Sequence, residues 1–209
     1  MHWKFIGTAA VAASAFVATS AAQADTTSFS LSGMTDDNVY NVEVDVLLTD
    51  VVGGVEFDLA VDGTAGSFGD LRGFFFTADG VSFPLTLLDG ADINAVDLDG
   101  SVSQNGNGSY VGSPNNNVPG SYNAGVEIGT QGAGTDFVGD TTFTLGGLTV
   151  ADLLGEQVAV RVMSVGPDFG VGSSNSGSIK LIGGVPVPEP AALGGIAMGA
   201  LVMLRRRRA

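Results

Sequence analysis

From residue 28 to residue 182 the chain repeatedly alternates apolar and polar side chains with a period of two, the pattern of strands that bury one face. Phe29 and Leu31 alternate with Ser28, Ser30 and Ser32; Val42, Val44, Val46 and Leu48 alternate with Asn41, Glu43 and Asp45. After Gly53-Gly54 the pattern resumes, with Val55, Phe57, Leu59 and Val61 set against Glu56, Asp58 and Asp62, until Asp62-Gly63 punctuates it as a hairpin turn does. Asp70 to Phe76 breaks the alternation with a continuous apolar run, which predicts a strand buried on both faces, with an aromatic exposed at an edge as the competing reading; Arg72 within it is expected to pair with a carboxylate, the alternative being an anion-binding arginine. Val81, Phe83, Leu85 and Leu87 echo the Val55 to Val61 run at an offset of 26 residues, as two strands of one sheet do, without making a repeat array.

Further strands are predicted at Val126 to Ile128, Thr142 to Leu145, Gln157 to Val165 and Ser178 to Ile182. Leu148 to Gly155 reads as one short helical turn, with Thr149 as its cap and Gly155 as its stop. Ser101 to Asn123 is rich in Gly, Asn, Ser and Pro and reads as a long surface loop with little to bury, carrying a short strand at Ser109 to Val111. Short strands, regular turn signals and almost no helix predict an all-β chain, an antiparallel β-sandwich of jelly-roll type. An outer-membrane barrel is disfavoured, because the polar strand faces are acidic and the body has no tryptophan for an aromatic belt.

The two ends read differently from the body. Met1 to Lys4 is basic, Phe5 to Ala18 is apolar, and Ala22-Gln23-Ala24 is a small-x-small site that places a cut before Asp25; together they predict a secretory signal helix over residues 1–24, removed by signal peptidase. The body then covers residues 25–183, a linker 184–186, and a tail 187–209. The tail opens with Val187-Pro188-Glu189-Pro190, which cannot be helical, because two of its residues lack amide donors. Ala191 to Leu204 is an uncharged stretch of fourteen small or apolar residues, and Arg205, Arg206, Arg207 and Arg208 follow as a stop-transfer cluster that stays on the cytoplasmic side. As a helix, fourteen residues reach about 21 Å against a hydrocarbon core of about 30 Å, so this short hydrophobic helix makes inner-membrane contact as a marginal, transient span.

Pro-Glu-Pro, an apolar segment and a terminal arginine cluster together resemble the PEP-CTERM sorting tail of Gram-negative bacteria. The resemblance implies recognition by the membrane enzyme exosortase, cleavage near Pro188-Glu189-Pro190, and transfer of the body to the cell surface or the extracellular polymer matrix. The body is also similar to uncharacterised domains carried by PEP-CTERM proteins, over Gly69 to Phe75 and from Phe143-Thr144-Leu145 to Val165-Gly166. That second resemblance implies no activity.

Composition narrows the chemistry. Residues 25–187 hold 21 of the 22 acidic residues against Arg72, Arg161 and Lys180, a net charge near −18, which excludes nucleic acid as a partner. Cysteine is absent and the sole histidine, His2, leaves with the leader, so the mature protein lacks thiolate and imidazole catalysis. Acidic pairs are inevitable among so many carboxylates, so they do not argue for a hydrolase, and no enzyme is expected. The stretch from Asp89 to Gly100 is the one candidate cation site: Asp92, Asn94, Asp97 and Asp99 offer hard oxygen ligands for calcium at short spacing. Ser101, Val102 and Ser103 then break the register of an EF-hand, and solvated turn carboxylates are the competing reading. Gly132-Ala133-Gly134 lacks the third glycine and the strand-to-helix context of a dinucleotide site. The expectation is a structural or adhesive surface protein; the alternative is a calcium- or glycan-binding module, with extracellular polysaccharide as partner and only Tyr40, Tyr110 and Tyr122 as candidate exposed aromatics beside largely core phenylalanines.

Overall fold

The computed structural model describes residues 25–35, 38–106, 108–130, 136–168 and 177–188. The expected signal helix and C-terminal hydrophobic helix lie outside these residues, and among those described no helix is long and apolar enough to cross a membrane. The chain is all-β. Its strands are β1 (Thr26–Met34), β2 (Asn41–Val51), β3 (Gly54–Val61), β4 (Phe68–Phe76), β5 (Thr86–Asp89), β6 (Ile93–Asp97), β7 (Gln104–Asn105), β8 (Gly108–Ser109), β9 (Val118–Pro119), β10 (Ala124–Ile128), β11 (Asp140–Gly146), β12 (Gln157–Gly166) and β13 (Gly177–Gly184).

Two five-stranded antiparallel sheets form, ordered β1-β2-β3-β11-β5 and β13-β12-β4-β10-β6, and β7-β8-β9 make a third, small sheet. Successive strands β1 to β3 are hairpin neighbours, whereas β4, β5, β6, β11 and β12 alternate between the two large sheets. The meander at one edge is simpler than the wrapped order of a jelly roll.

The period-two pattern sets which faces meet. In β2, Val42, Val44, Val46 and Leu48 are buried while Asn41, Asp45 and Leu47 face solvent. Val55, Phe57 and Leu59 of β3 and Phe143 and Leu145 of β11 extend the same apolar face, and it closes on Phe74, Phe76, Val126, Val158 and Val160 of the other sheet. At the centre Phe57 stacks on Phe143 with ring centroids 4.9 Å apart and contacts Phe74 and Phe76, each at 5.6 Å. β1 and β13 shut one side of the sandwich. A Cβ on Gly183 would sit 2.4 Å from Leu31 Cδ2, so glycine lets the strands approach without displacing that leucine methyl. Gly54 plays the same part inside the first sheet, where a Cβ would lie 2.0 Å from the carbonyl oxygen of Leu145.

β4 is buried on both faces, as the loss of alternation from Asp70 to Phe76 predicts, with Asp70 and Arg72 paired inside it. Phe74 and Phe76 enter the main core; Phe75 points the other way, into a second cluster with Val102, Val111, Val118, Tyr122 and Ala159. That cluster corrects the expectation of a surface loop over Ser101 to Asn123. The segment is a cap that carries β7 to β9 and buries Ser109, Asn116 and Tyr122, and its short strand falls at Gly108–Ser109. Sequence pattern missed it because strands of two residues show no periodicity. The strand expected from Val81 begins only at Thr86: Pro84 has no amide to give a ladder, and Leu85 N–H bonds to Leu98 O at 2.8 Å. The expected helical turn is a short 3-10 helix, Val150–Leu153, started by the Asp152 carboxylate accepting from the Thr149 amide at 2.8 Å. Val185 is buried and hydrogen-bonded to Glu156, so the fold runs past the expected boundary at residue 183.

Truncating Phe57 to alanine removes contacts to three rings at once, and urea unfolding should show a loss of about 3–5 kcal/mol. A loss below about 1 kcal/mol would mean that the aromatic cluster is not what joins the sheets.

Candidate functional site

The exposed face of the first sheet is strongly acidic because its outward positions alternate with the core valines. The antiparallel register places Ser30, Asp45, Ala60 and Asp140 in one row across β1, β2, β3 and β11, and Ser28, Leu47, Asp58 and Thr142 in the next. Hydroxyls of neighbouring strands orient two of the carboxylates: Ser30 Oγ donates to Asp45 Oδ1 at 2.5 Å, and Thr142 Oγ1 donates to Asp58 Oδ1. Together these residues line an open trough of about 610 Å³. Ser and Thr facing Asp along the polar halves of alternating strands were the sequence signal for it, unreadable until the register was known.

The four expected calcium ligands do not converge. Asp92 accepts from Thr141 Oγ1 at 3.0 Å, and its carbonyl accepts from the Gly129 amide at 2.7 Å, which ties it to β11 and to the end of β10. Asn94 lies exposed in β6, where the ladder to β10 shifts register. Asp97 accepts from the Ser103 amide at 2.9 Å and so anchors the start of the cap. Only Asp97 and Asp99 come together: burial first, then the neighbouring Asp99, pushes the Asp97 carboxyl above its ordinary range, against the Ser103 amide, which lowers it. Two carboxylates fall short of the six to eight oxygens calcium takes. Among the described residues no group of three or more His, Cys, Asp or Glu could hold a metal ion.

Arg72, a possible anion site by residue type, is instead committed to the protein. Its Nη2 lies 2.5 Å from Asp70 Oδ2, its Nη1 lies 3.3 Å from Asp136 Oδ1, and it also donates to the carbonyl of Thr130. Asp136 Oδ2 in turn accepts from the Thr130 amide at 2.7 Å and from its hydroxyl at 2.8 Å, and Asp70 Oδ1 accepts from the Val138 amide at 3.1 Å. Burial pushes the Asp70 carboxyl up despite the Val138 amide and Arg72. Burial would raise Asp136 too, but the Thr130 donors and Arg72 outweigh it and hold that carboxyl below its usual range. From sequence the pairing of Arg72 was foreseeable; Asp136, 64 residues away, was not.

Under the cap, Glu127 and Arg161 flank Gly73 in one cross-strand row, and Glu127 Oε2 occupies the space a Cβ on Gly112 would need. Asn116 Nδ2 donates to the Arg72 carbonyl at 2.7 Å, and the Tyr122 hydroxyl donates to the Pro119 carbonyl at 3.0 Å. Burial pushes the Tyr122 phenol up to about 12, so it stays neutral. These groups hold the cap in place.

Of the expected processing residues, Asp25, Val187 and Pro188 are described, and all three are exposed. Ala22, Ala24, Glu189, Pro190 and Arg205 to Arg208 lie outside the described residues.

No protein family matches the sequence, and no curated protein matches it. Among solved structures, the chain overlaps one described as "pH-induced modulation of Streptococcus parasanguinis adhesion by Fap1 fimbriae", with 14% identity over 78% of this chain and 98% of that one, at a TM-score of 0.33. Overlap that loose carries no argument about function.

Replacing Arg72 by methionine leaves Asp70 and Asp136 without their cation, so stability at pH 7 should fall by about 3–5 kcal/mol. A folded-state carboxyl raised further by this loss contributes stability that is present at low pH and lost as pH rises through its pKa. The deficit of the variant, read by urea unfolding, should therefore shrink from pH 7 towards pH 4.5; an equal deficit at both would show that the arginine acts by packing alone.

Proposed function

We propose that this chain is an exported protein of the cell surface or extracellular matrix, delivered by an exosortase-type system, with a structural or adhesive body and no catalytic activity. The observation that carries the reading is where the fold begins and ends. Among the described residues the first strand starts at Thr26, one residue after the expected leader cut, and the last buried residue is Val185, two residues before the Pro-Glu-Pro tail begins. Cuts at both expected places would thus fall outside every strand and every buried residue among those described. The tail pattern supplies the sorting system, the leader supplies export, and the acidic, cysteine-free body suits a hydrated exterior. Hydroxyl and carboxylate groups set out in rows along the trough of the first sheet support polar contact with extracellular polysaccharide better than they support bond cleavage. Signal peptidase and exosortase are the implied processing partners.

Replacing Pro188, Glu189 and Pro190 together by alanine in the native cells should move the protein from the surface or matrix fraction into the inner-membrane fraction, with the body still folded. Unchanged delivery of that variant would remove the sorting role of the tail.

A further inference from the structure

Both ends of the body emerge at one end of the sandwich. The Asp25 carbonyl accepts from the Asp50 amide at 2.9 Å, two residues before the tip of the β2–β3 hairpin at Val52. The Asp50 carboxylate accepts from the Val150 amide at 2.7 Å, and the short helix beginning there leads to Gly155, whose amide donates to the Val185 carbonyl at 2.9 Å. Apolar side chains stand bare at this same end: Val52 is fully exposed, Val51 and Leu88 are exposed by the tip, and Val187 is exposed next to Gly155.

We propose that this end of the sandwich, led by the Val51-Val52 tip, rests on a lipid surface while the chain still carries its tail. The inference rests on the reading of residues 187–209 as a membrane tail, and chain length drives it. A helix over residues 191–204 is about 21 Å long, about 9 Å short of the hydrocarbon core. With the arginines held at the cytoplasmic face, its outer end lies that far below the opposite boundary, beneath a headgroup layer of about 5–7 Å. Five residues, Pro186 to Pro190, connect Val185 to the helix, and at about 3.1 Å each in the extended form prolines favour they span about 16 Å. Crossing out of the bilayer consumes nearly all of that length. The end of the body bearing Val185 is therefore held against the headgroups, and the hairpin tip beside it meets the acyl boundary. Asp25, Asp50, Asp152 and Glu156 at this end fit a zwitterionic surface better than an anionic one.

Met34 and Val39 are exposed at the opposite end, across the length of the nine-residue β1, roughly 27 Å away, and supply the internal control. The chain has no cysteine, so one introduced thiol carries a fluorophore without background. The full-length Val52→Cys and Val39→Cys variants, labelled with an environment-sensitive dye, would be reconstituted into phosphatidylcholine vesicles with and without brominated acyl chains. The expected result is co-sedimentation of both with vesicles and at least about twofold quenching of the probe at 52 but not at 39, as for a side chain at the headgroup boundary. Co-sedimentation with equal quenching at both positions overturns the inference and leaves the tail reading standing. Shielding at 52 that disappears on dilution and ignores bromine would assign the tip to a second copy of the chain, and also overturns it. Failure to co-sediment overturns the tail reading itself and the inference with it.

Discussion

The contact between the two sheets at Phe57, Phe143, Phe74 and Phe76 is the constraint on which the rest of the structure depends. No disulfide is available to hold this domain, and its charge is strongly one-sided, so cohesion must come from apolar burial. Each buried phenylalanine contributes about 1.5–3 kcal/mol, and these four rings form a contiguous aromatic cluster that joins the two sheets. With that interface set, the alternation of β2, β3 and β11 leaves no choice about which side chains face out. The acidic trough on the outer face of the first sheet is thus a by-product of the core pattern as much as a surface in its own right.

β4 links this core to everything on the other side of the second sheet. Its inward Phe74 and Phe76 belong to the main core, its outward Phe75 seats the cap, and Arg72 between them ties the segment before β11 through Asp136 and Thr130. One strand so carries apolar packing on two faces and the buried charge network. Asp70 and Asp136 respond to pH in opposite senses: the contribution of Asp70 is lost as pH rises through its raised pKa, and that of Asp136 is lost as pH falls through its lowered one.

Strands with a half-buried face were legible in the sequence, since Val42 to Leu48 and Val55 to Val61 carry the period without interruption. The doubly buried β4 was legible for the opposite reason, because Phe74-Phe75-Phe76 abandons the alternation that a half-buried strand keeps. What escaped was non-local or too short to be periodic. Val118 and Tyr122 join Phe75 across the fold from within a stretch whose composition says loop, and Asp136 finds Arg72 across 64 residues. Asp92, Asn94, Asp97 and Asp99 looked like one constellation because they are near in sequence, but a bulged edge strand and two different anchors, Thr141 and Ser103, pull them apart.

The account of function turns on the ends of the chain. Among the described residues the strands begin at Thr26 and burial ends at Val185, just inside the two segments proposed as addresses, and the intact mass of the protein recovered from its native cells tests that proposal most directly. The account predicts a mass starting at Asp25 and ending near Pro188, in protein taken from the surface or matrix. A mass that still includes Ala191 to Ala209, found only in membranes, would contradict it and make the tail a plain anchor.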